Sequence, residues 1–170
     1  MWESLILGVR YHLLLLIISI ILIIITPSIA MAYQIPSDRD VEWLAYNIYH
    51  EARGEPLSGK IMVAVITINR VEDKIRFPNT IHDVVTQPSQ FSWYWDGKSD
   101  QPKDPKAYKE CLAVSRLVYD IWKDGSLHKI IGQLDLDSVK WYHNEEVLPR
   151  WAHYYQFVTK IGKHLIYKDT

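Results

Sequence analysis

The sequence of 170 residues contains a single cysteine, Cys111. One thiol excludes an intramolecular disulfide and a zinc site built from several thiolates. The chain also lacks an excess of charge of either sign, because 19 Lys and Arg stand against 20 Asp and Glu. A protein held to nucleic acid by phosphate contacts carries a basic surface, so we predict no nucleic-acid partner.

Internal repeats and low-complexity tracts are absent, and an apolar fraction of 48% excludes a largely disordered chain. Aromatic residues, in contrast, are abundant, with seven Trp, 11 Tyr and three Phe. Trp and Tyr rings fill protein cores, and their flat faces also stack on sugar rings. The composition therefore leaves both uses open.

Long apolar runs are absent apart from one near the N-terminus, Leu13 to Ile25, which only Ser19 interrupts. Arg10 and His12 precede this run, and Ala30-Met31-Ala32 follows it. A basic start, an apolar core and a small-x-small site in this order are typical of a secretory signal peptide. The run is also shorter than the stretch of about 20 apolar residues that spans a bilayer.

We therefore predict a signal peptide over residues 1–32, with a retained signal anchor as the alternative. Residues 33–170 are predicted to form one exported domain, in the periplasm or on the cell wall side of the membrane. Contact with the membrane is expected only through residues 5–25, and only if this leader is retained. The exported part is long enough to bury a core without disulfides.

Hydrophobic periodicity predicts two helices at the start of the exported part. The apolar stripe of the first consists of Val41, Leu44, Ala45 and Ile48. Ser37 or Asp38 is expected to cap this helix, and Gly54 to end it. The second is predicted from its cap, Ser58, to Asp73, because this apolar segment is long for a strand.

A third long helix is predicted between its cap, Asp104, and Gly125, with Pro105 in the first turn. Cys111 lies on the apolar stripe of this helix, so we expect a core residue rather than a nucleophile. The remaining predicted elements are a short helix over 81–85, a strand or hairpin over 87–97, strands over 139–143 and 161–167, and a helix over 149–159. The fold class is accordingly α+β and rich in helix.

Glu51 is the first candidate for chemistry. It follows Leu44 by seven positions, which places it at the margin of the apolar stripe, in the last turn of its helix. Burial and the carbonyl dipoles at a helix C-terminus both favour the protonated form of a carboxyl group. A general acid needs that property. The alternative is a carboxylate that is solvated or paired with Arg53.

Metal and serine chemistry receive no support from the motifs. His50-Glu51 begins like a zinc-protease motif, but the fifth position is Gly54 where that motif needs a second His. The other exported histidines form no close ligand pair, and no Gly-x-Ser-x-Gly segment is present. We predict no metal site and no cofactor.

Four blocks of sequence resemble the cell wall hydrolases typified by the spore-cortex lytic enzymes SleB and CwlJ. They occur in that family's order and span residues 41–167. The blocks are Tyr49 to Pro56 with Gly59, Ala64 to Ile66 and Asn69 to Val71; Phe77 to Thr80 with Val84, Val85 and Gln90 to Ser92; Trp141 to His143 with Pro149 and Trp151; and Ile161 to His164 with Tyr167.

The resemblance implies a lysozyme-like or lytic-transglycosylase-like domain, with helices around a cleft and a small antiparallel sheet. The implied substrate is the β-1,4 bond between N-acetylmuramic acid and N-acetylglucosamine in peptidoglycan. The family's catalytic acid maps to Glu51, and its second Glu maps to Glu55, which we expect to contact substrate. His50 departs from the family, where Gly is common at this position.

Two reactions remain open at such a site. A lytic transglycosylase uses the 6-hydroxyl of muramic acid as the nucleophile, whereas a muramidase uses water and commonly a second carboxylate. Glu55 is the nearest second carboxylate, and Gly54 is expected to turn it away, which favours the transglycosylase. The alternatives from other classes are a non-catalytic peptidoglycan-binding module and an exported amidase or peptidase.

Candidate substrate contacts follow from the same blocks. The hydrogen-bonding candidates are Gln90, Ser92, Tyr142 and His143, and the stacking candidates are Phe91, Trp93 and Tyr94. Each aromatic ring can equally be a core residue, and His143 can be a satisfied core histidine. We expect Asn69 and Arg70 to brace their helix, and Trp151 and His164 to be structural. The predicted partner is a peptidoglycan glycan strand, bound by a monomer.

Overall fold

The computed structural model describes residues 38–170, in which helices are followed by a three-stranded antiparallel sheet. The helices are α1 (Asp38–Ala52), α2 (Leu57–Glu72), α3 (Ile81–Val85), α4 (Ser92–Trp95), α5 (Pro105–Lys123) and α6 (Leu127–Gly132). The strands are β1 (Val139–Asn144), β2 (Gln156–Ile161) and β3 (His164–Lys168), with a 3₁₀ helix over Arg150–Tyr154. The leader predicted over 1–32 lies outside the described residues. Between residues 38 and 170, no helix combines the length and apolarity needed to cross a membrane.

Helix α1 presents the predicted apolar stripe to the core, and all four of its stripe residues are buried. Helix α2 is buried on nearly every side, as expected for a helix whose apolar residues run around its whole circumference. Its N-cap position is Pro56 and no side chain caps it, so the predicted cap at Ser58 is wrong. The two helices thus form the centre of the larger core cluster.

Helix α5 confirms the clearest periodic pattern in the sequence. The Asp104 side chain accepts hydrogen bonds from the backbone N–H groups of Lys106 and Ala107, as an N-cap residue does. Cys111 is fully buried on the inner face, and burial raises the pKa of its thiol to about 11. The Ser115 hydroxyl donates to the carbonyl of Val41, which joins α5 to α1.

The sheet has the strand order β1-β3-β2, with both pairings antiparallel. The helix predicted over 149–159 is wrong in its second half, where β2 begins at Gln156. The β-branched residues Thr159 and Ile161 of β2 pair with residues of β3. This long-range pairing overrides the local helical pattern. The predicted strand over 161–167 is divided, because Ile161 ends β2 and a turn at Gly162 leads into β3.

The strand or hairpin predicted over 87–97 is also wrong. These residues form turns followed by the single-turn helix α4. Within residues 38–170, they pair with no strand of the sheet. Trp93 of this segment donates from Nε1 to Asn47 Oδ1, and its burial decides the local conformation. Helix α6 was not predicted from the sequence.

Candidate active site

Glu51 lies half-buried in the last turn of α1 and faces the first strand of the sheet. The Tyr142 hydroxyl of β1 donates a hydrogen bond of 2.9 Å to Glu51 Oε2. Within residues 38–170, this is the one hydrogen bond that the Glu51 carboxyl group makes. The predicted alternative of an ion pair with Arg53 is not observed, because the Arg53 guanidinium lies over the Tyr49 ring instead.

The surroundings of Glu51 act on its proton in opposite directions. Burial raises the pKa of Glu51 above its ordinary value, whereas the Tyr142 hydrogen bond and the positive charge of Arg70 lower it. Burial has the larger effect, so the net shift favours the protonated form. This direction agrees with the protonated form predicted for Glu51 from its position in α1.

Arg70 supplies a buried positive charge near Glu51. It is 4% exposed, and its Nε donates to the Lys140 carbonyl at 2.9 Å. Its guanidinium lies over the rings of Phe77, Phe91 and Trp141 at 5.3, 5.1 and 5.6 Å. Burial lowers the pKa of Arg70 to about 10, which still leaves it charged at neutral pH. This fixed charge favours the carboxylate form of Glu51.

Asn69 and Arg70 hold β1 against α2, in agreement with the bracing role predicted for them. Asn69 Nδ2 donates to the carbonyls of Leu136 and Val139 at 3.0 and 2.9 Å. Together with the Arg70 bond, these contacts fix the strand that carries Tyr142. The position of the Tyr142 hydroxyl relative to Glu51 therefore depends on the α2–β1 contact.

Tyr142 remains a proton donor in this environment, because burial and the neighbouring Glu51 raise the pKa of its hydroxyl well above the ordinary value. Its ring packs against that of His164, with centroids 4.9 Å apart. His164 is buried, and burial lowers the pKa of its imidazole. The structural role predicted for His164 fits this packing.

His143 follows Tyr142 in β1 and so points to the other face of the sheet. Its ring stacks on Tyr167, and its Nε2 lies 2.9 Å from the Tyr167 hydroxyl. Trp151 packs edge-on against both rings. The structure therefore brings Tyr142 to Glu51 and places His143 in an aromatic cluster on the opposite face.

The two predicted stacking rings next to this site are buried. Phe91 is 2% exposed and lies beneath Arg70, so its ring is a core side chain and not a surface for a sugar. Trp93 is 7% exposed, and one of its faces is covered by the His50 ring at 4.3 Å. Burial corrects the stacking prediction for Phe91 and Trp93, whereas Tyr94, the third predicted ring, is half-buried and stays a candidate. Gln90 is half-buried and Ser92 is exposed, and both stay candidates for substrate contact.

Glu55 is engaged with the turn between β2 and β3. Its Oε2 accepts a hydrogen bond of 2.9 Å from the Lys163 backbone N–H. A Cβ atom on Gly162 would lie only 1.8 Å from the same oxygen. This contact to the turn was not predicted from the sequence, because the two segments are more than 100 residues apart.

Among residues 38–170, no group of three or more His, Cys, Asp and Glu side chains is arranged to hold a metal ion.

Known proteins resemble this chain in both sequence and structure. A family model described as Cell Wall Hydrolase matches residues 54–167, and its match begins three residues after Glu51. The spore cortex-lytic enzyme of Bacillus cereus is 29% identical over 133 residues, which cover 78% of this chain and 45% of that protein. That of Oceanobacillus iheyensis is 28% identical over 144 residues, covering 84% of this chain and 46% of the relative. The chain thus spans less than half the length of these curated relatives.

Two solved structures share the fold. The catalytic domain of the germination-specific lytic transglycosylase SleB from Bacillus anthracis has a TM-score of 0.56 and 28% identity, covering 79% of this chain and 98% of that one. The catalytic domain of the Bacillus cereus SleB protein has a TM-score of 0.53 and 26% identity, covering 76% and 89%. The similarity extends over nearly all of the Bacillus anthracis domain.

Proposed function

The chain belongs to the cell wall hydrolase family, as its sequence motifs predicted, and on this premise we propose that it cleaves peptidoglycan glycan strands with Glu51 as the proton donor. The observation that carries the proposal is the state of Glu51, a half-buried carboxyl group with a raised pKa and a single hydrogen-bond donor among residues 38–170. The similarity to a catalytic domain named as a lytic transglycosylase supports it.

The bond we propose is the β-1,4 linkage between N-acetylmuramic acid and N-acetylglucosamine. Glu51 donates its proton to the glycosidic oxygen as the bond from that oxygen to C1 of muramic acid breaks. The Tyr142 hydrogen bond and the Arg70 charge then stabilise the resulting carboxylate, since both favour its ionised form. The carboxylate accepts a proton from the nucleophile, which returns the site to its starting state.

We propose that the nucleophile is the 6-hydroxyl of the same muramic acid, so that the product is a 1,6-anhydro sugar. Hydrolytic glycosidases commonly pair two carboxylates across the bond. Glu55, the nearest second carboxylate in sequence, accepts a hydrogen bond from the turn at Lys163. This engagement supports a mechanism with one acid. The enzyme would act outside the cytoplasmic membrane, as the leader predicts.

Replacing Glu51 by Gln tests the proposed acid, because the amide keeps the shape and cannot donate the carboxyl proton. We expect release of soluble muropeptides to fall by about 100-fold or more, while binding to purified sacculi persists. Glu42→Gln, at an exposed position of α1, is the matched control and should leave release unchanged. Undiminished release by Glu51→Gln would exclude Glu51 as the acid. Binding without release by the wild type would favour the non-catalytic module.

The identity of the nucleophile is decided by the products. Mass spectrometry of muropeptides released by the wild type should find 1,6-anhydromuramic acid ends, which are lighter than the hydrated ends by one water. If only hydrated reducing ends are found, the reaction is hydrolysis by a muramidase and not transglycosylation. The proposed role of Glu51 as the acid would not be affected.

A further inference from the structure

A cleft of about 370 Å³ lies beside the last turn of α1 and does not include Glu51. Tyr49, His50 and Arg53 of α1, Trp93 of α4 and the loop of residues 96–104 line it. This volume is within the range of small-ligand pockets, about 300–1,000 Å³.

The walls of this cleft are held in place by contacts between the loop and α1. The Tyr49 hydroxyl accepts hydrogen bonds of 3.0 Å from the backbone N–H groups of both Lys103 and Asp104. His50 Nε2 donates to the Asp100 carbonyl at 2.9 Å, and the His50 ring stacks on Trp93 with an interplanar angle of 10°. A loop fixed in this way is preorganised for a ligand.

The charges in the cleft are incompletely paired. Asp96 forms an ion pair with Lys98 at 3.2 Å. Arg53 and Lys103, in contrast, form no ion pair with a carboxylate among the described residues. The Asp100 carboxylate forms no ion pair with a cation there either. Asp104, the third carboxylate of the lining, accepts two backbone N–H bonds as the cap of α5. Arg53, Lys103 and the Asp100 carboxylate are therefore the groups that a ligand with carboxylates and an amine can pair with.

We propose, resting on the proposed function, that this cleft binds the stem peptide attached to muramic acid in peptidoglycan. That peptide carries several carboxylates, which suit Arg53 and Lys103, and a diamino acid whose amine suits Asp100. It is attached to the sugar whose bond Glu51 protonates, and His50 of the cleft is adjacent to Glu51 in the chain. Each extended peptide residue spans about 3.3–3.6 Å, so a stem peptide of several residues extends well beyond the sugar that carries it.

The test compares soluble glycan strands that carry stem peptides with the same strands after an amidase has removed the peptides. We expect the wild type to show a KM about tenfold lower on the peptide-bearing strands, because hydrogen bonds to charged groups are strong. In the double variant Arg53→Gln, Lys103→Gln, this KM should rise to that of the stripped strands while kcat is kept. The double variant Lys109→Gln, Lys129→Gln loses the same charge at exposed positions outside the cleft and should keep the wild-type preference.

The outcomes separate this inference from the proposed function. Equal KM values for the wild type on both substrates would overturn the peptide site and leave glycan cleavage standing. An equal loss on both substrates in the Arg53, Lys103 variant would also overturn it, because the residues would then serve the glycan or the fold. Cleavage of neither substrate by the wild type would overturn the proposed function and the peptide site with it.

Discussion

Glu51 and Tyr142 are 91 residues apart in the chain, and their contact defines the candidate site. The tyrosine hydroxyl donates to one carboxyl oxygen of Glu51, and in the proposed mechanism the other oxygen carries the proton. Arg70 adds a buried charge that favours the carboxylate formed afterwards. At the scale of the residue, the acid strength of Glu51 is therefore a balance between burial and two opposing groups.

Tyr142→Phe tests this balance through the pH dependence of kcat/KM. A general acid is active when protonated, so activity falls as pH rises through the pKa of Glu51. The Tyr142 hydrogen bond lowers that pKa, and its removal should raise it further. We therefore expect the basic limb of the profile to shift to higher pH while the maximal rate falls, because the carboxylate product loses a donor.

The control for this profile is Tyr154→Phe, which removes a hydroxyl at a position that is 75% exposed. Its basic limb should coincide with that of the wild type. A limb that moves to lower pH in Tyr142→Phe would contradict the arrangement, since the hydroxyl would then be stabilising the protonated acid.

At the scale of elements, the segment between α1 and α2 is tied to the β2–β3 turn by Glu55. The contact needs a residue without a side chain at Gly162, because a Cβ atom there would meet the Glu55 carboxylate. Gly162 also has a φ of +59°, in the left-handed region that glycine tolerates. The hairpin and the chain that follows Glu51 are thus fixed relative to each other.

Gly162→Ala should lower the free energy of unfolding for two reasons. Alanine is strained at a positive φ, and its Cβ atom displaces the Glu55 carboxylate. Gly97→Ala is the matched control, because Gly97 has a φ of +73° and no atom near its missing Cβ. The backbone cost, about 1–2 kcal/mol, is common to the two variants. Losing the charged hydrogen bond should cost Gly162→Ala a further amount of about 1–3 kcal/mol.

Urea titration of both variants measures this difference. Adding Glu55→Ala to Gly162→Ala should remove the steric part of the cost, so that the two changes are not additive. Equal destabilisation by Gly162→Ala and Gly97→Ala would show that the Glu55 contact contributes nothing to stability.

At the scale of the whole domain, Asn47 joins three helices at one buried polar point. Its side chain is fully buried, its Nδ2 donates to Thr67 Oγ1 at 3.0 Å, and its Oδ1 accepts from Trp93 Nε1 at 3.1 Å. These bonds connect α1, α2 and α4 around the core. They also position Trp93, whose ring lines the cleft between the last turn of α1 and the loop of residues 96–104.

Asn47→Ala should lower the free energy of unfolding by about 1–3 kcal/mol, because it leaves the indole N–H buried without an acceptor. Chemical denaturation measures the loss. Asn79→Ala, at an exposed loop position, is the control and should change stability by no more than about 0.5 kcal/mol. A similar small effect at Asn47 would mean that water replaces its bonds without cost.

Local patterns predicted a large part of this domain. The stripe that begins at Val41 and the Asp104 cap depend on residues within one or two turns, and both were confirmed. The predictions for the segments around Ser92 and Gln156 were wrong. Burial of Trp93 decided the conformation of the first segment, and pairing with β3 decided that of the second. Such contacts join residues far apart in the chain, and no local pattern contains them.

The sequence by itself determined the family, the long helices and the identification of Glu51 as the candidate acid. Motifs and helical periodicity are local properties of the chain, so they can be read without the fold. The tertiary structure alone decided what surrounds that carboxyl group. It brought Tyr142 and Arg70 to Glu51, turned His143 to the other face of the sheet, and buried Phe91 beneath Arg70. The physical reason is that the proton affinity of a carboxyl group depends on burial and nearby charge, which arise only when distant segments pack together.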